Sequence, residues 1–213
     1  LVLNHLDLYI GIYKQCRKKW QKMFREYKLP LNSFIGGWFI PKKVCDDLIK
    51  YFKKNKELQK EGVYGKGNNV FVNKEYKESI DITIDNTNTD YEITSYKKNL
   101  QKVLNQYQIK YPEVKNLSQF TIESFNIQKY PKKGGFKEWH NERRCKKVSL
   151  RVLAFMTYLN DLEKGGTNFL YQKITTPSKK GLTLIWPVDF THTHKSQICN
   201  KEKIITTGWF YFL

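Results

Sequence analysis

The sequence predicts an α+β fold with a mainly β core, a sheet sandwich or barrel carrying helices on one face. Three observations lead there. Two helical patterns close the first half of the chain, at about 41–60 and 91–107. From Phe120 onward the segments 120–130, 148–159, 167–174, 181–186, 191–195 and 203–212 are short, rich in β-branched or aromatic residues, and separated by Gly, Pro or charged turns. Aromatic residues make up 15% of the 213 residues, which favours strands and pockets.

Taken in order, residues 5–28 read as a basic amphipathic helix. Leu8, Ile12, Cys16, Trp20 and Phe24 recur about every four residues, with lysines and arginines between them, and Pro30 closes the pattern. Such a helix can lie on a membrane or on nucleic acid, but its aromatics favour packing on its own domain. Residues 34–41 read as a short apolar strand ending in proline. Pro41 then opens a helix through Lys60 whose apolar positions are Val44, Leu48, Ile49, Phe52 and Leu58. Residues 61–75 carry three glycines and read as a loop or hairpin, and Ser79–Ile84 alternates as a strand does. Asp85–Asp90 has turn and helix-cap chemistry ahead of the helix from Tyr91 to about Tyr107. The expected organisation is a basic helical extension over 1–33 and one domain over 34–213.

The formal charge of +18 fits a lysine-rich solvated surface or a polyanionic partner such as nucleic acid, and charge alone does not choose between them. Cys16, Cys45, Cys145 and Cys199 are widely spread without a C-x-x-C pair, which argues against a zinc ribbon or redox motif and fits a reducing compartment. No run approaches the roughly 18 apolar residues of a membrane span, and no signal-peptide pattern is present, so a cytoplasmic setting is expected.

The stretch Tyr130–Glu142 carries the chemistry. His140 and Glu142 stand two apart after a glycine pair, and in extended chain such residues point to one side. Two histidines and a carboxylate on one octahedral face, with the other positions open, form the metal site of oxygen-activating non-haem iron enzymes. His140, Glu142 and one of His192 or His194 supply that set.

The segment from Phe190 to Phe212 resembles the end of the 2-oxoglutarate- and Fe(II)-dependent dioxygenases, in their prolyl 4-hydroxylase-like branch. In that family a basic residue on the strand after the distal histidine pairs with the far carboxylate of 2-oxoglutarate. Lys203 falls nine residues after His194, so the resemblance selects His194 as the ligand and leaves His192 to the core or the ligands' surroundings. Tyr130-Pro131 lies where the family often has a tyrosine lining the cosubstrate pocket. Tyr158-Leu159-Asn160 with Gly165-Gly166-Thr167 resembles the segment whose tyrosine also reaches that carboxylate, and Gly181–Pro187 resembles the strand leading to the distal histidine. The resemblance covers about 34–213 and is best from 120 on. It departs from the family at Glu142, where aspartate is usual; Glu142 is otherwise a solvated neighbour of Arg143 and Arg144.

The resemblance implies a double-stranded β-helix (a jelly roll, cupin-like) flanked by N-terminal helices. It implies catalytic metal ligands His140, Glu142 and His194, and cosubstrate-binding Lys203, Tyr158 and Tyr130. The cofactors it implies are Fe(II), 2-oxoglutarate and O2, with ascorbate as an optional reductant. The expected reaction is hydroxylation of an unactivated C–H, on a prolyl or other residue of a peptide or protein. A nucleic-acid oxygenase is the alternative that the charge and basic helix suggest, and a non-catalytic basic jelly-roll module that binds nucleic acid is a second. Trp139, Trp186 and Trp209 read as core, Arg151 as a substrate contact or a lining of the sheet, and Asn168 receives no role.

Overall fold

The computed structural model describes residues 24–66 and 69–213. The basic helix expected over 5–28 lies outside them as far as residue 23. Residues 24–28 are not helical: Glu26 bridges Trp38, and Phe39 and Tyr27 exchange backbone bonds with Arg25 and Gly37. The chain runs there as an extended strap beside β1 (Gly36–Phe39), because its aromatics can be covered by the sheet without a helix.

Helix α1 (Lys42–Lys54) buries Val44, Cys45, Leu48, Tyr51 and Phe52 on one face. It ends six residues short of the expected Lys60. Asn55 Nδ2 donates to the Tyr51 carbonyl at 2.8 Å, and Leu58 sits in a 3-10 turn, 45% exposed rather than buried. Short strands follow: β2 (Lys60–Glu61), β3 (Tyr64–Lys66), β4 (Asn69–Phe71), β5 (Lys77–Glu78) and β6 (Ile80–Ile84). Strands β3 and β4 form a hairpin, so the loop over 61–75 has its own pairing. Helix α2 (Tyr91–Lys110) buries Ile93, Tyr96, Leu100, Val103, Leu104 and Tyr107. Asp90 stands at its N-cap without a capping bond, because its carboxylate accepts from Tyr51 at 3.0 Å instead.

The second half is β throughout. It comprises β7 (Phe120–Ile122), β8 (Phe125–Tyr130), β9 (Gly135–Phe136) and β10 (Arg151–Tyr158). Then come β11 (Thr167–Phe169), β12 (Ile174–Thr175), β13 (Leu182–Pro187), β14 (His194–Ser196) and β15 (Lys203–Phe212). The expected strand over 167–174 splits around a turn, and residues 190–192 form a 3-10 turn, so β14 starts at His194.

The large sheet runs β1-β13-β10-β15-β8-β6-β2, with β7 beside β15, and the small one runs β12-β11-β14. All these pairs are antiparallel. The two sheets form the expected double-stranded β-helix, with α1 and α2 on the outer face of the large sheet. Alternation sorts the side chains. Ile82, Phe125, Ile127, Phe155, Ile204 and Phe210 join the helices in one core, while Tyr130, Ala154, Tyr158, Ile205, Phe169 and Trp186 pack inside the roll. No described helix is long and apolar enough to cross a membrane.

Gly166 is where backbone meets backbone most closely, since a Cβ there would come 1.5 Å from the Thr176 carbonyl oxygen. Gly166→Ala is therefore expected to cost at least about 1–3 kcal/mol, the usual penalty of overpacking. At roughly 2–4 °C per kcal/mol for a chain of this size, a thermal melt reads the loss.

Candidate metal centre and cosubstrate cavity

Two histidines far apart in sequence become neighbours through a reciprocal backbone pair. His140 N donates to the His194 carbonyl at 3.0 Å, and His194 N to the His140 carbonyl at 2.8 Å. Each Nδ1 lies 2.9 Å from a carbonyl oxygen, that of Glu138 for His140 and that of His192 for His194. A carbonyl can only accept, so Nδ1 carries the proton and Nε2 keeps its lone pair. Both Nε2 atoms face Glu142 Oε1, at 3.6 Å from His140 and 3.3 Å from His194. The three ligand atoms lie within 4.8 Å of one another, a donor set suited to a divalent transition metal. His192 points elsewhere: its Nε2 meets the Ser33 carbonyl at 3.0 Å, outside the cluster.

Burial and the neighbouring His194 hold the His140 pKa down, so it stays neutral and able to ligate. Phe136 stacks on the His140 ring with centroids 3.6 Å apart, and Trp186 meets His194 edge-on at 5.1 Å. These contacts leave the imidazoles little room to turn.

The second oxygen of Glu142 is held by a residue that sequence reasoning placed in the core. Trp209 Nε1 donates to Oε2 at 2.9 Å, which turns Oε1 toward the imidazoles. The Arg151 guanidinium lies 3.5 Å over the Trp209 ring and is itself fixed by Glu123 at 2.8 Å. The Glu142 backbone is tied down by its N–H bond to the Val188 carbonyl at 3.1 Å, and Arg143 clamps the adjoining loop to Asp189. Partners of this kind orient ligands and typically contribute 10–100-fold in metal affinity. Trp209→Phe is therefore expected to weaken Fe(II) or Mn(II) binding by roughly that factor. Calorimetric titration measures the affinity, and an unchanged thermal midpoint shows that the fold is intact.

The cluster opens into a cavity of about 680 Å³. Its lining includes Asp81, Asn126, Gln128, Tyr130, Met156, Thr167, Ser196, Ile205, Thr207 and Trp209, the inward positions of the roll. Lys203 lies beside it, 2% exposed, with Nζ 3.2 Å from Ser196 Oγ and 5.0 Å from the Tyr130 ring centre. It makes no ion pair among the described residues, and burial pushes its pKa down to about 8. An unpaired buried ammonium is costly unless an anion meets it. Tyr130 lines the cavity, and its hydroxyl donates to Gln128 Oε1 at 2.6 Å. Gln128 Nε2 in turn donates to Asp81 Oδ2 at 3.0 Å. Burial, then the Asp81 and Glu142 charges, keep Tyr130 protonated. Tyr158 is fully buried one layer behind. Its hydroxyl lies 2.6 Å from Thr167 Oγ1 and 2.8 Å from Thr176 Oγ1, and of these three residues only Thr167 lines the cavity.

Residues 125–211 match the family described as the 2OG-Fe(II) oxygenase superfamily. No curated protein matches the chain in sequence. Several solved structures share the fold. A prolyl hydroxylase from Trichoplax adhaerens, in complex with a hypoxia inducible factor oxygen degradation domain peptide fragment, aligns with TM-score 0.68 at 13% identity, covering 99% of this chain and 94% of that one. A prolyl-4-hydroxylase from Pseudomonas putida aligns with TM-score 0.63 at 14% identity, covering 84% and 92%. The viral collagen prolyl hydroxylase of Paramecium Bursaria Chlorella virus-1, in its 2OG complex, aligns with TM-score 0.59 at 17% identity, covering 84% and 97%. Residues 125–211, the stretch that matches the 2OG-Fe(II) oxygenase superfamily, contain all three candidate ligands, and the fold around them is one that prolyl hydroxylases share.

Proposed function

We propose that the enzyme hydroxylates a carbon of a peptidyl residue, prolyl or other, with His140, Glu142 and His194 holding Fe(II) and Lys203 holding the distal carboxylate of 2-oxoglutarate. The observation that carries this is the convergence of two Nε2 lone pairs and one carboxylate oxygen beside a buried lysine that has no acid partner. Bound there, iron and 2-oxoglutarate supply the oxidising chemistry: one oxygen atom of O2 enters the substrate C–H bond, the other enters succinate, and CO2 leaves.

The chain's own groups give that chemistry its geometry. The Nδ1–H bonds to carbonyls fix both imidazole tautomers, and Trp209 presents a single Glu142 oxygen. Lys203 and Ser196 form the anion subsite, with the Tyr130 ring as its wall. Tyr158 acts through Thr167, whose hydroxyl it orients toward the cavity, rather than by touching the cosubstrate. A peptide substrate is supported by the peptide bound to the Trichoplax prolyl hydroxylase.

The charge of +18 favours a second reading, an oxygenase of nucleic acid. Succinate formation dependent on Fe(II) and 2-oxoglutarate, measured with proline-containing peptides and with oligonucleotides, decides between them. A gain of one oxygen on a peptide is the expected result. A gain on oligonucleotides alone overturns the peptide assignment.

A further inference from the structure

We infer that the enzyme selects peptides bearing acidic residues on one side of the oxidised position, an inference that rests on the peptide reading above. The wall of the cavity next to the metal ligands carries Arg144, Lys147 and Lys195. Two other cations of the lining are neutralised within the protein, Lys77 by Asp81 at 2.6 Å and Arg151 by Glu123 at 2.8 Å, and Lys60 lies at the far end. Arg144, Lys147 and Lys195 make no ion pair among the described residues.

Free lysines are common on so basic a chain, but two of these cations are organised. They converge on Trp139, the residue before His140. Arg144 Nη2 donates to the Trp139 carbonyl at 2.9 Å, and Lys195 Nζ lies 4.6 Å over its ring. Trp139 was expected in the core, yet it is 37% exposed. An exposed indole with one cation over its ring and a second on its backbone carbonyl, one residue before His140, offers an apolar plate for a side-chain stem and charges for its carboxylate.

The far end of the cavity differs. Strands β15, β8 and β6 separate β10 from β2, where Glu57 and Glu61 line the cavity with Lys60, and Glu61 is already paired to Lys74 at 3.0 Å. A polyanionic strand laid across the whole mouth would find no excess of positive charge at that end. A peptide with its acidic residues toward Trp139 meets favourable charge at that end, while the Glu57 end, with Lys60 and Lys74 beside its two carboxylates, is balanced. The asymmetry therefore favours a peptide over a nucleic acid.

The test is a panel of equal-length proline-containing peptides with Asp or Glu, their amides, or Lys placed on either side of the target. Acidic residues on one side only are expected to lower KM roughly five- to thirtyfold against the amide, with kcat changed less, and the preference should shrink as salt screens it. The double variant Arg144→Glu, Lys195→Glu is expected to reverse the preference toward lysine-containing peptides. Should that variant fail to fold, the wild-type panel still decides. Peptides oxidised without regard to flanking charge, or a preference that survives charge reversal, overturn the inference and leave the peptide reading standing. Oxidation of oligonucleotides and of no peptide overturns both.

Discussion

Replacing His194 or Glu142 by alanine is expected to abolish Fe(II)-dependent succinate formation, a loss of well over about a hundredfold. The lower bound follows from the surrounding shell. Even residues that only orient ligands contribute roughly 10–100-fold, and His194 and Glu142 supply two of the three atoms that lie within 4.8 Å of one another. Metal affinity and turnover are expected to fall together, by calorimetry and by succinate detection. Glu142 is the sharper case, because its Oε1 faces both imidazoles while its Oε2 is held by Trp209. Glu142→Gln keeps the shape and an oxygen but loses the negative charge. If Glu142 were only a solvated neighbour of Arg143, either variant would retain iron and turnover.

The second large effect concerns Lys203. Its pKa falls from 10.5 to about 8 on folding, because burial penalises the ammonium. In cosubstrate-free enzyme the folded state therefore holds fewer protons than the unfolded state between about pH 8 and 10.5. Stability is expected to rise with pH across that window, and below it the full penalty, of order 3 kcal/mol, is present. Lys203→Met should remove this slope and raise the melting temperature of the cosubstrate-free protein. The same variant should lose the anion subsite, at about 2–5 kcal/mol or roughly thirty- to several-thousandfold in Kd for 2-oxoglutarate. Wild-type Kd is expected to rise about tenfold per pH unit above pH 8, while Lys203→Arg holds its affinity there. Calorimetric titration at several pH values checks both. A flat pH profile would place the carboxylate elsewhere.

Much of this architecture was legible in the residues. Strand β15 ran from Lys203 to Phe212 as expected, because a turn precedes it and its aromatic run has nowhere to go but a sheet. His140 and Glu142 were picked out by residue type and spacing and His194 by the family resemblance, and the structure brings the three together. The misses have physical causes. Trp209 reads as core because hydropathy cannot tell an indole that packs from one whose N–H finds a carboxylate; its even spacing from Lys203 was the signal available. Trp139 reads as core for the same reason, although the lysines and arginines around it hint at a wet rim. For Tyr158, sequence carries no trace of the Thr167 and Thr176 hydroxyls that engage its own. Helix α1 stopped early because the Asn55 side chain caps it, a choice that helical periodicity does not encode.

The alternation of β15 sets which changes of length the chain can tolerate. Lys203 and Trp209 serve the same interior from one strand, with Ile204 and Phe210 facing the helices between and beyond them. A single residue inserted between 203 and 209 would send one of the two functional side chains to the outer face and exchange apolar for polar positions along the rest of the strand. Substitutions in this strand are graded in effect, but its length is quantised in pairs. The hairpin of β3 and β4 pairs only with itself, so a change of length within it shifts no strand of the large sheet.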